Sequence, residues 1–327
     1  MGVRGILTAL YGTELMLYWL GFYQLAQLRV GKALLLALIA SLVLRVIFVL
    51  ANFALAQWQR RRWSAHPIVK GRVQDWAAMM IREGWAFFYL YTWAQWLPKS
   101  WLPLASRHQS NQLVILVHGY FCNQGFWRPL AVRLAASGYR VWSVEQPNPF
   151  AAIETLTDPL RVRIQDALKN PEIDTVQLVG FSMGGLAIRQ ALGQLHQQQV
   201  ALNKLAQVIT LNTPHEGTAM AITPGAENNQ QMQPRATWRQ KLPALPSNIP
   251  WQVVYSQHDN IVSPPELGHW QTDQQNVHWW PRPFQGHVAI ALDKNFHNQI
   301  LTWLKEKSVG LKPALDHQGR DNEYQTH

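Results

Sequence analysis

The sequence predicts an α/β protein in which a mostly parallel sheet is covered by helices on both faces and preceded by an N-terminal transmembrane or interfacial helical region. Two observations lead to this prediction. From about residue 106 onward, short apolar runs alternate with helical stretches, which is typical of a parallel sheet packed between helices. Before that point the chain is strongly apolar. Only 15% of all 327 residues are charged, against about a quarter in an ordinary soluble protein.

The most apolar stretch, residues 33–55, carries a single charge at Arg45 and is long enough to span a hydrocarbon core of about 30 Å. A buried helix of a soluble core is the alternative. Residues 6–28 are also apolar, with Glu14 as their only charge, and would form a second span after a short turn. An ion pair between Glu14 and Arg45 across such a hairpin is one option that the sequence leaves open. That pairing would offset the insertion cost of a central charge, at least about 2.5 kcal/mol.

Basic residues mark the cytoplasmic side of a membrane span. Three arginines at 60–62 follow the apolar run, whereas Arg29 and Lys32 precede it. We therefore expect an inner (cytoplasmic) membrane protein whose α/β domain lies on the cytoplasmic side. The net charge of +10 suits an anionic membrane surface. We expect no nucleic-acid partner, because the chain has no basic helix or zinc-finger spacing. The single cysteine, Cys122, excludes an intrachain disulfide and favours a reducing compartment.

An aromatic run at 85–98 precedes the α/β domain. Tryptophan and tyrosine concentrate at membrane interfaces, so this run predicts either an interfacial helix or a helix that caps the next domain. Polar residues 106–112 resemble a linker. The sequence therefore predicts a membrane-associated helical region at 1–105, an α/β domain at 106–306 and a polar tail at 307–327.

The α/β domain is predicted to begin with a strand at 113–119 and to close with a helix at 288–306. Continuous apolar strands fit a sheet buried on both faces. The elements predicted between them are, in chain order, a helix at 127–138, a strand at 139–147, a helix at 160–170, a strand at 175–182, a helix at 183–195 and strands at 204–214, 251–259 and 275–281. Active sites in such sheets lie at the carboxyl ends of the strands, so polar residues just after strands are the functional candidates.

The segment GFSMG, residues 180–184, follows a predicted strand and opens a predicted helix. A lone G-x-S-x-G is common by chance and can be a simple turn, but this strand-to-helix context is the one that a nucleophilic serine requires. The glycines permit a sharp turn that presents the hydroxyl of Ser182. The backbone N–H of Met183, at the start of the helix, would then point toward a developing oxyanion.

A serine nucleophile needs a base, and the base needs an orienting carboxylate. Asp259 directly follows a strand and is the favoured acid, with Glu216 as the runner-up. His287 follows the last strand and precedes the last helix, which makes it the favoured base. The other late histidines lie in a polar loop, within a strand pattern and inside the last helix: His269, His278 and His297.

The other half of an oxyanion hole would come from the loop after the first strand, HGYFCNQGFW. The backbone N–H of Tyr120 is the predicted donor, with that of Phe121 next. His118 is expected to position this loop through hydrogen bonds. Cys122 has no metal-spaced or catalytic partner and is expected to be a small packing residue.

Together these residues resemble the α/β-hydrolase family, and within it the bacterial lipases. The resemblance covers residues 110–306 and rests on HGY (118–120), GFSMG (180–184), NTPHEGT (212–218), HDNIV (258–262) and GH (286–287). It implies the α/β-hydrolase fold, with Ser182 as nucleophile, Asp259 as acid and His287 as base. The implied oxyanion donors are Tyr120 and Met183. Within NTPHEGT, His215 is expected to be structural.

The resemblance implies no cofactor. Some bacterial lipases hold a calcium ion, but this chain has no carboxylate cluster that supports one, so we expect no metal. The N-terminal region departs from secreted lipases, which carry a cleavable signal. Residues 217–250 are inserted between two strands and would form a lid, part of an acyl groove or a mobile surface excursion.

The sequence therefore predicts a membrane-anchored serine hydrolase of the carboxylesterase or triacylglycerol lipase type, acting on a lipid or another acyl ester. Two alternatives stay open. An acyltransferase would use the same triad with an alcohol other than water as acceptor. A non-catalytic membrane scaffold would keep the fold without the reaction.

Overall fold

A computed structural model describes residues 2–64, 69–97 and 110–310. Most of the predicted linker at 106–112 lies outside these residues, as does the end of the aromatic run at Pro98. The predicted domain boundaries therefore stay predictions. The last helix continues to Gly310, and the rest of the predicted tail lies outside the described residues.

Within the described residues, the strands form one sheet of six parallel strands in the order β2-β1-β3-β4-β5-β6. Each strand overlaps a predicted one, so the predicted fold class is confirmed. The bounds are β1 Gln112–Val117, β2 Arg140–Val144, β3 Thr175–Phe181, β4 Leu205–Leu211, β5 Trp251–Ser256 and β6 Val277–Arg282. Because all strands run the same way, the loops that leave β3, β5 and β6 emerge at one edge of the sheet.

Helices cover both faces of the sheet, as predicted. Alternate residues of β1 point to opposite faces, so Ile115 packs in one core and Leu116 in the other. The first core contains α5 and α6, and the second contains α4 and α9. The bounds of the described helices after β1 are α4 Arg128–Ala136, α5 Glu154–Lys169, α6 Met183–Gln197, α7 Glu227–Met232, α8 Thr237–Gln240 and α9 Lys294–Gly310.

The single helix predicted at 288–306 is wrong in its first part. The chain instead forms a short 3₁₀ turn at Ala289–Ala291 and begins α9 at Lys294. The side chain of Asp293 caps the new helix, because its Oδ1 accepts hydrogen bonds from the backbone N–H groups of Asn295 (3.0 Å) and Phe296 (3.1 Å). Because an N-cap residue lies outside the regular helix, Asp293 interrupts the segment, and residues 288–306 do not form one continuous helix.

Three α-helices precede the sheet in the described residues: α1 Val3–Leu20, α2 Val30–Trp63 and α3 Val73–Thr92. Among the described helices, α2 alone has the length and apolar composition to cross a membrane. The second span predicted at 6–28 is not a continuous α-helix, because α1 gives way to a π-helical turn at Gly21–Leu25. The second span stays a prediction, with the 18 residues of α1 followed directly by five π-helical residues.

The ion pair predicted between Glu14 and Arg45 is confirmed. The guanidinium of Arg45 donates to both carboxylate oxygens of Glu14, at 2.7 Å each. It also donates to the hydroxyl of Ser41 (2.6 Å) and lies over the ring of Tyr11 (4.3 Å to the centroid). These contacts join α1 to α2 and satisfy the charge within the apolar helix.

The helix α3 caps the α/β domain with one face, which confirms one of the two predictions for the aromatic run. Ala86 and Leu90 are buried in the same core as α4 and α9. The opposite face leaves Ile81, Trp85 and Phe88 exposed. The N-terminal region therefore packs directly on the domain that carries the predicted site.

The carboxyl end of α2 docks at the edge of the sheet where the predicted site lies. Gln59 donates to the carbonyl of Ala219 (3.3 Å), in the loop after β4. Arg60 donates to the carbonyl of Gln257 (2.8 Å), in the loop after β5. An apolar helix thus ends beside the loops that surround Ser182.

Candidate active site

Ser182 occupies a strained turn between β3 and α6. Its φ of 52° lies in the left-handed region, which a residue with a Cβ rarely adopts. Its backbone is held on both sides, because its N–H donates to the carbonyl of Leu211 (2.8 Å) and its own carbonyl accepts from the N–H of Gly185 (3.0 Å). The turn packs tightly enough that a Cβ at Gly184 would collide with the backbone of Val117. This geometry is the strand–turn–helix context that the G-x-S-x-G pattern predicts.

The structure joins Ser182, His287 and Asp259 in one chain of hydrogen bonds. The Nε2 atom of His287 lies 3.1 Å from Oγ of Ser182, and its Nδ1 atom lies 2.9 Å from Oδ2 of Asp259. In the tautomer that satisfies both contacts, Nδ1–H donates to the carboxylate and the serine hydroxyl donates to Nε2. All three side chains are buried.

Asp259 is fixed by the backbone of its own loop. Its Oδ1 accepts hydrogen bonds from the N–H groups of Ile261 (2.8 Å) and Val262 (2.7 Å), which leaves Oδ2 for His287. Glu216, the runner-up acid, accepts instead from the N–H of Gln271 (3.2 Å) and lies 3.8 Å from Arg239. The structure therefore pairs Asp259, and not Glu216, with the histidine.

Two asparagines that were not selected from the sequence hold the loop between β6 and α9 that carries His287. We call this loop the histidine loop. Asn212 donates to the carbonyl of His287 (2.8 Å) and accepts from the N–H of Ser256 (3.0 Å), so it bridges the ends of β4 and β5 and the histidine loop. Asn260 accepts from the N–H of His287 (2.9 Å). Both belong to quoted motifs, Asn212 to NTPHEGT and Asn260 to HDNIV, and their position after a strand was the available signal.

The other late histidines have partners outside this chain of hydrogen bonds. His269 stacks on Trp279 (5.2 Å between ring centroids), and His278 is exposed on β6. The imidazole of His297 contacts the carbonyl of Ala291 (3.0 Å), and burial lowers its pKa to about 4. The structure does not bring these three histidines to Ser182.

The loop after β1 lies beside the serine, as predicted for an oxyanion loop. Within the described residues, the backbone N–H groups of Tyr120 and Met183 donate to no partner. His118 is buried, and its two ring nitrogens contact the carbonyl of Gly119 (3.0 Å) and the N–H of Gln146 (3.3 Å). Burial lowers the pKa of His118, so a neutral ring joins this loop to the loop after β2. That geometry agrees with the positioning role expected for His118.

Aromatic side chains line the approach to the loop after β1. Phe121 lies 5.8 Å from Phe150, and Tyr120 lies 6.3 Å from Phe150, between ring centroids. Tyr91, from α3, stacks on Phe121 at 6.5 Å. These rings form an apolar wall next to the candidate oxyanion donors.

Cys122 and His215 are packing residues in the structure. Cys122 is buried, and burial raises the pKa of its thiol to about 12, so it stays protonated. His215 lies 3.0 Å from the hydroxyl of Thr210 and stacks on Trp270 at 5.1 Å. Burial holds the pKa of His215 well below its usual value. In the part of the chain that the structure describes, no three His, Cys, Asp or Glu residues group to hold a metal ion.

The segment inserted at 217–250 folds back onto the loop after β2. It contains α7 and α8, and the carboxylate of Glu227 accepts from the N–H of Ala152 (3.2 Å). Asn228 donates to the carbonyl of Pro149 (2.6 Å). These contacts place the segment near Phe150 of the aromatic wall. Its action as a lid or acyl groove stays a prediction.

Three features of the structure point to one family of proteins. They are the order of the strands in the sheet, the strained turn at Ser182, and the histidine and aspartate on neighbouring loops. The family model of the alpha/beta hydrolase family matches residues 114–303, more than half of the chain. This chain therefore belongs to the alpha/beta hydrolase family.

Several known proteins are similar to parts of the chain. An alpha-hydroxynitrile lyase of Arabidopsis thaliana is 35% identical over 83 residues, which cover 24% of this chain and 32% of that enzyme. The match thus spans about a third of that relative's length. A lipase of Bacillus licheniformis has 15% identity and a TM-score of 0.49, covering 62% of this chain and 95% of its own. An esterase of Thermogutta terrifontis has 18% identity and a TM-score of 0.42, covering 61% and 91%.

Proposed function

We propose that this chain is a membrane-anchored serine hydrolase that cleaves carboxylic esters of lipids. One observation carries the proposal: the hydroxyl of Ser182 stands at a strained turn and is hydrogen-bonded through His287 to Asp259. A serine hydroxyl is a weak nucleophile unless a base takes its proton as it attacks. This arrangement supplies the base and the group that orients it.

In the first half-reaction, Oγ of Ser182 forms a bond to the acyl carbonyl carbon while its proton passes to Nε2 of His287. The carbonyl electron pair moves to its oxygen, which becomes an oxyanion. When this intermediate collapses, the bond from carbon to the alcohol oxygen breaks. The departing oxygen takes the proton from His287, and the acyl group remains on Ser182.

In the second half-reaction, water attacks the acyl carbon and gives its proton to His287. The bond from carbon to Oγ breaks, Oγ takes the proton back, and a carboxylic acid leaves. Through both halves Asp259 holds the tautomer of the imidazole and stabilises the imidazolium. The backbone N–H groups of Tyr120 and Met183 would bind the oxyanion. Loss of one such donor typically lowers the rate by about 10²–10³.

The contacts of α2 support a lipid as substrate. Its apolar length ends beside the loops after β4 and β5, through Gln59 and Arg60. A membrane crossed by α2 would therefore face the edge of the sheet that carries Ser182. The exposed apolar face of α3, with Trp85 and Phe88, would lie in the interface between lipid and water. The arginines at 60–62 favour the cytoplasmic side for the α/β domain.

The experiment that tests the proposal uses the full chain in detergent and in liposomes. A fluorophosphonate probe should label the wild type and the control Ser143→Ala, a serine on β2, but neither Ser182→Ala nor His287→Ala. Parallel assays with p-nitrophenyl esters of short and long acyl chains should show turnover that prefers long chains. If the probe labels no protein in detergent or in liposomes, the proposal of an enzyme is wrong and the non-catalytic membrane scaffold replaces it.

Product analysis with an added alcohol separates a hydrolase from an acyltransferase that uses the same acyl-enzyme. A hydrolase releases mainly the free acid at every alcohol concentration. If the acyl group passed mainly to the alcohol at low concentration, the acyltransferase would replace the hydrolase as the proposed function.

A further inference from the structure

A buried carboxylate from the N-terminal region lies directly behind the candidate histidine. Glu83, on α3, is fully buried. Its oxygens accept hydrogen bonds from the N–H of Val288, at 2.9 and 3.1 Å, and from the N–H of Ala289, at 2.7 Å. These are the two residues that follow His287. A side chain about two hundred positions earlier therefore holds the backbone of the histidine loop.

The packing on the other side of His287 is equally close. A Cβ built on Gly286 would collide with the carboxylate of Glu83 and would lie 2.8 Å from its Cβ. Glu83 thus contacts the loop before and after the histidine. The backbone of 286–289 wraps around one carboxylate, and the ring of His287 projects from that wrapped segment toward Asp259 and Ser182.

The pKa of Glu83 is affected by charged groups of the candidate active site. Burial raises the pKa of Glu83 to about 7, although the N–H groups of Val288 and Ala289 act to lower it. The charged groups that act on it from the packed loops are His287, which favours the carboxylate, and Asp259, which disfavours it. On its own helix, the charge of Glu83 helps to raise the pKa of Tyr91. An ionised Glu83 therefore favours a positive charge on His287.

We propose that Glu83 is a positioning residue of the active site: its carboxylate fixes residues 286–289 so that the imidazole of His287 stands between Asp259 and Ser182. The inference rests on the proposed function, because it concerns the same triad. In its ionised form Glu83 also favours the imidazolium that forms during each half-reaction. The helix α3 is thereby part of the active site as well as a cap on the domain.

The same helix connects the site to α2. Met79, one turn before Glu83, is buried against Val49 and Phe53 of α2. Met79 and Glu83 share one helix, but only Glu83 accepts hydrogen bonds from the backbone that follows His287. This difference provides a matched control, because an isosteric change at Met79 alters buried packing on α3 and removes none of those hydrogen bonds.

The test compares Glu83→Gln, Glu83→Ala and Met79→Leu in the full-length, detergent-solubilised protein. For each we would measure the rate of fluorophosphonate labelling and the pH profiles of kcat and kcat/KM for a p-nitrophenyl ester. Glu83→Ala should lower kcat by about 10²-fold with little change in KM, since misplacing a catalytic group by about 1 Å has that effect. Glu83→Gln keeps one acceptor and should lose less.

Glu83→Gln should also shift the acid limb of kcat/KM, because the ionisation of Glu83 near pH 7 contributes to the wild-type limb and is absent from the variant. A residue with only a structural role would not shift that limb. Met79→Leu should leave both the labelling rate and the limb unchanged. If Glu83→Ala does not fold, Glu83→Gln alone still decides the matter through its pH profile.

The outcomes separate the two proposals. Wild-type labelling that Ser182→Ala abolishes, together with wild-type rates and an unmoved acid limb in Glu83→Gln, would overturn the role of Glu83 and leave the hydrolase intact. A wild type that neither labels nor turns over esters would overturn both. A slower Glu83→Gln variant with a shifted limb, beside a normal Met79→Leu, supports the positioning role.

Discussion

The Nδ1 atom of His287 lies 2.9 Å from Oδ2 of Asp259, and the two residues stand on loops that leave the neighbouring strands β6 and β5. The aspartate is already held by two N–H groups of its own loop. The remaining oxygen, Oδ2, therefore faces Nδ1 of His287, and this contact selects the tautomer that carries its proton on Nδ1.

Asp259→Asn should reverse that selection. An amide can donate to Nδ1, which places the proton on Nε2 and removes the base from Ser182. We expect kcat to fall by about 10⁴, with the fold retained. Steady-state ester turnover and the labelling rate would measure the loss. The matched control is Glu216→Gln, which changes the runner-up acid and should stay near wild type. If Glu216→Gln were the inactive variant, the triad proposed for this site would be wrong.

The turn at Ser182 should not tolerate a methyl group at Gly184. A Cβ there would collide with the carbonyl oxygens of Val117 and His118, and neither is a side chain that can move aside. Gly184→Ala should therefore abolish labelling or prevent folding. Gly12→Ala, in α1, meets open space and should be neutral or stabilising by up to about 1 kcal/mol. Thermal unfolding in detergent and probe labelling report both effects, and a Gly184→Ala variant that labels normally would contradict the tight turn.

The pair formed by Glu14 and Arg45 should show strong coupling. Glu14→Gln leaves the Arg45 cation without its carboxylate partner, and Arg45→Gln leaves the Glu14 carboxylate without its cation. Each single change should therefore lower the free energy of unfolding by about 3 kcal/mol. The double variant should recover most of that loss, because no unpaired charge remains. A double-mutant cycle on thermal unfolding in detergent measures the coupling. Additive losses would show that the pair contributes little to the packing of α1 on α2.

Two buried groups should give opposite dependences of stability on pH. The pKa of His297 is lowered to about 4 by burial, so its contribution is present above the usual histidine value of 6.5 and is lost as pH falls toward 4. The pKa of Glu83 is raised from 4.5 to about 7 by burial, so its contribution is present below 4.5 and is lost as pH rises toward 7. Each shift corresponds to roughly 3 kcal/mol.

His297→Gln should therefore flatten the rise in stability between about pH 4 and 6.5, whereas Glu83→Gln should steepen it between about pH 4.5 and 7. Thermal or denaturant unfolding of the wild type and both variants across this range would test the signs. The same direction of change in both variants would show that one of the two groups does not titrate in the folded protein as its burial implies.

Much of the fold could be predicted from local pattern. The inner strands β1, β3, β4 and β5 were visible as short apolar runs, because a strand buried on both faces is apolar along most of its length. The rule that active sites follow strand ends then selected Ser182, Asp259 and His287, which the structure joins by hydrogen bonds. Two isolated charges in neighbouring apolar runs offered an ion pair of Glu14 and Arg45 as one option, and the structure forms it.

Local errors arose where a short-range signal was overlooked. Asp293 followed by a polar residue is a helix-capping pattern, and it divides the predicted last helix. The length of α1 depended on where the α-helix changes to a π-helical turn, at Gly21, and apolar composition alone does not fix that point.

The sequence by itself determined the class of sheet, the order of its elements and the residues at its strand ends, because these depend on periodicities of two and 3.6 residues within each segment. Only the tertiary structure decided that Glu83 lies behind His287 and that Asn212 bridges three loops. Those contacts join residues far apart in the chain. The contacts of Glu83 arise from how α3 packs on the finished sheet, and those of Asn212 arise from how the sheet brings the ends of its strands together. No local pattern of residues encodes either arrangement.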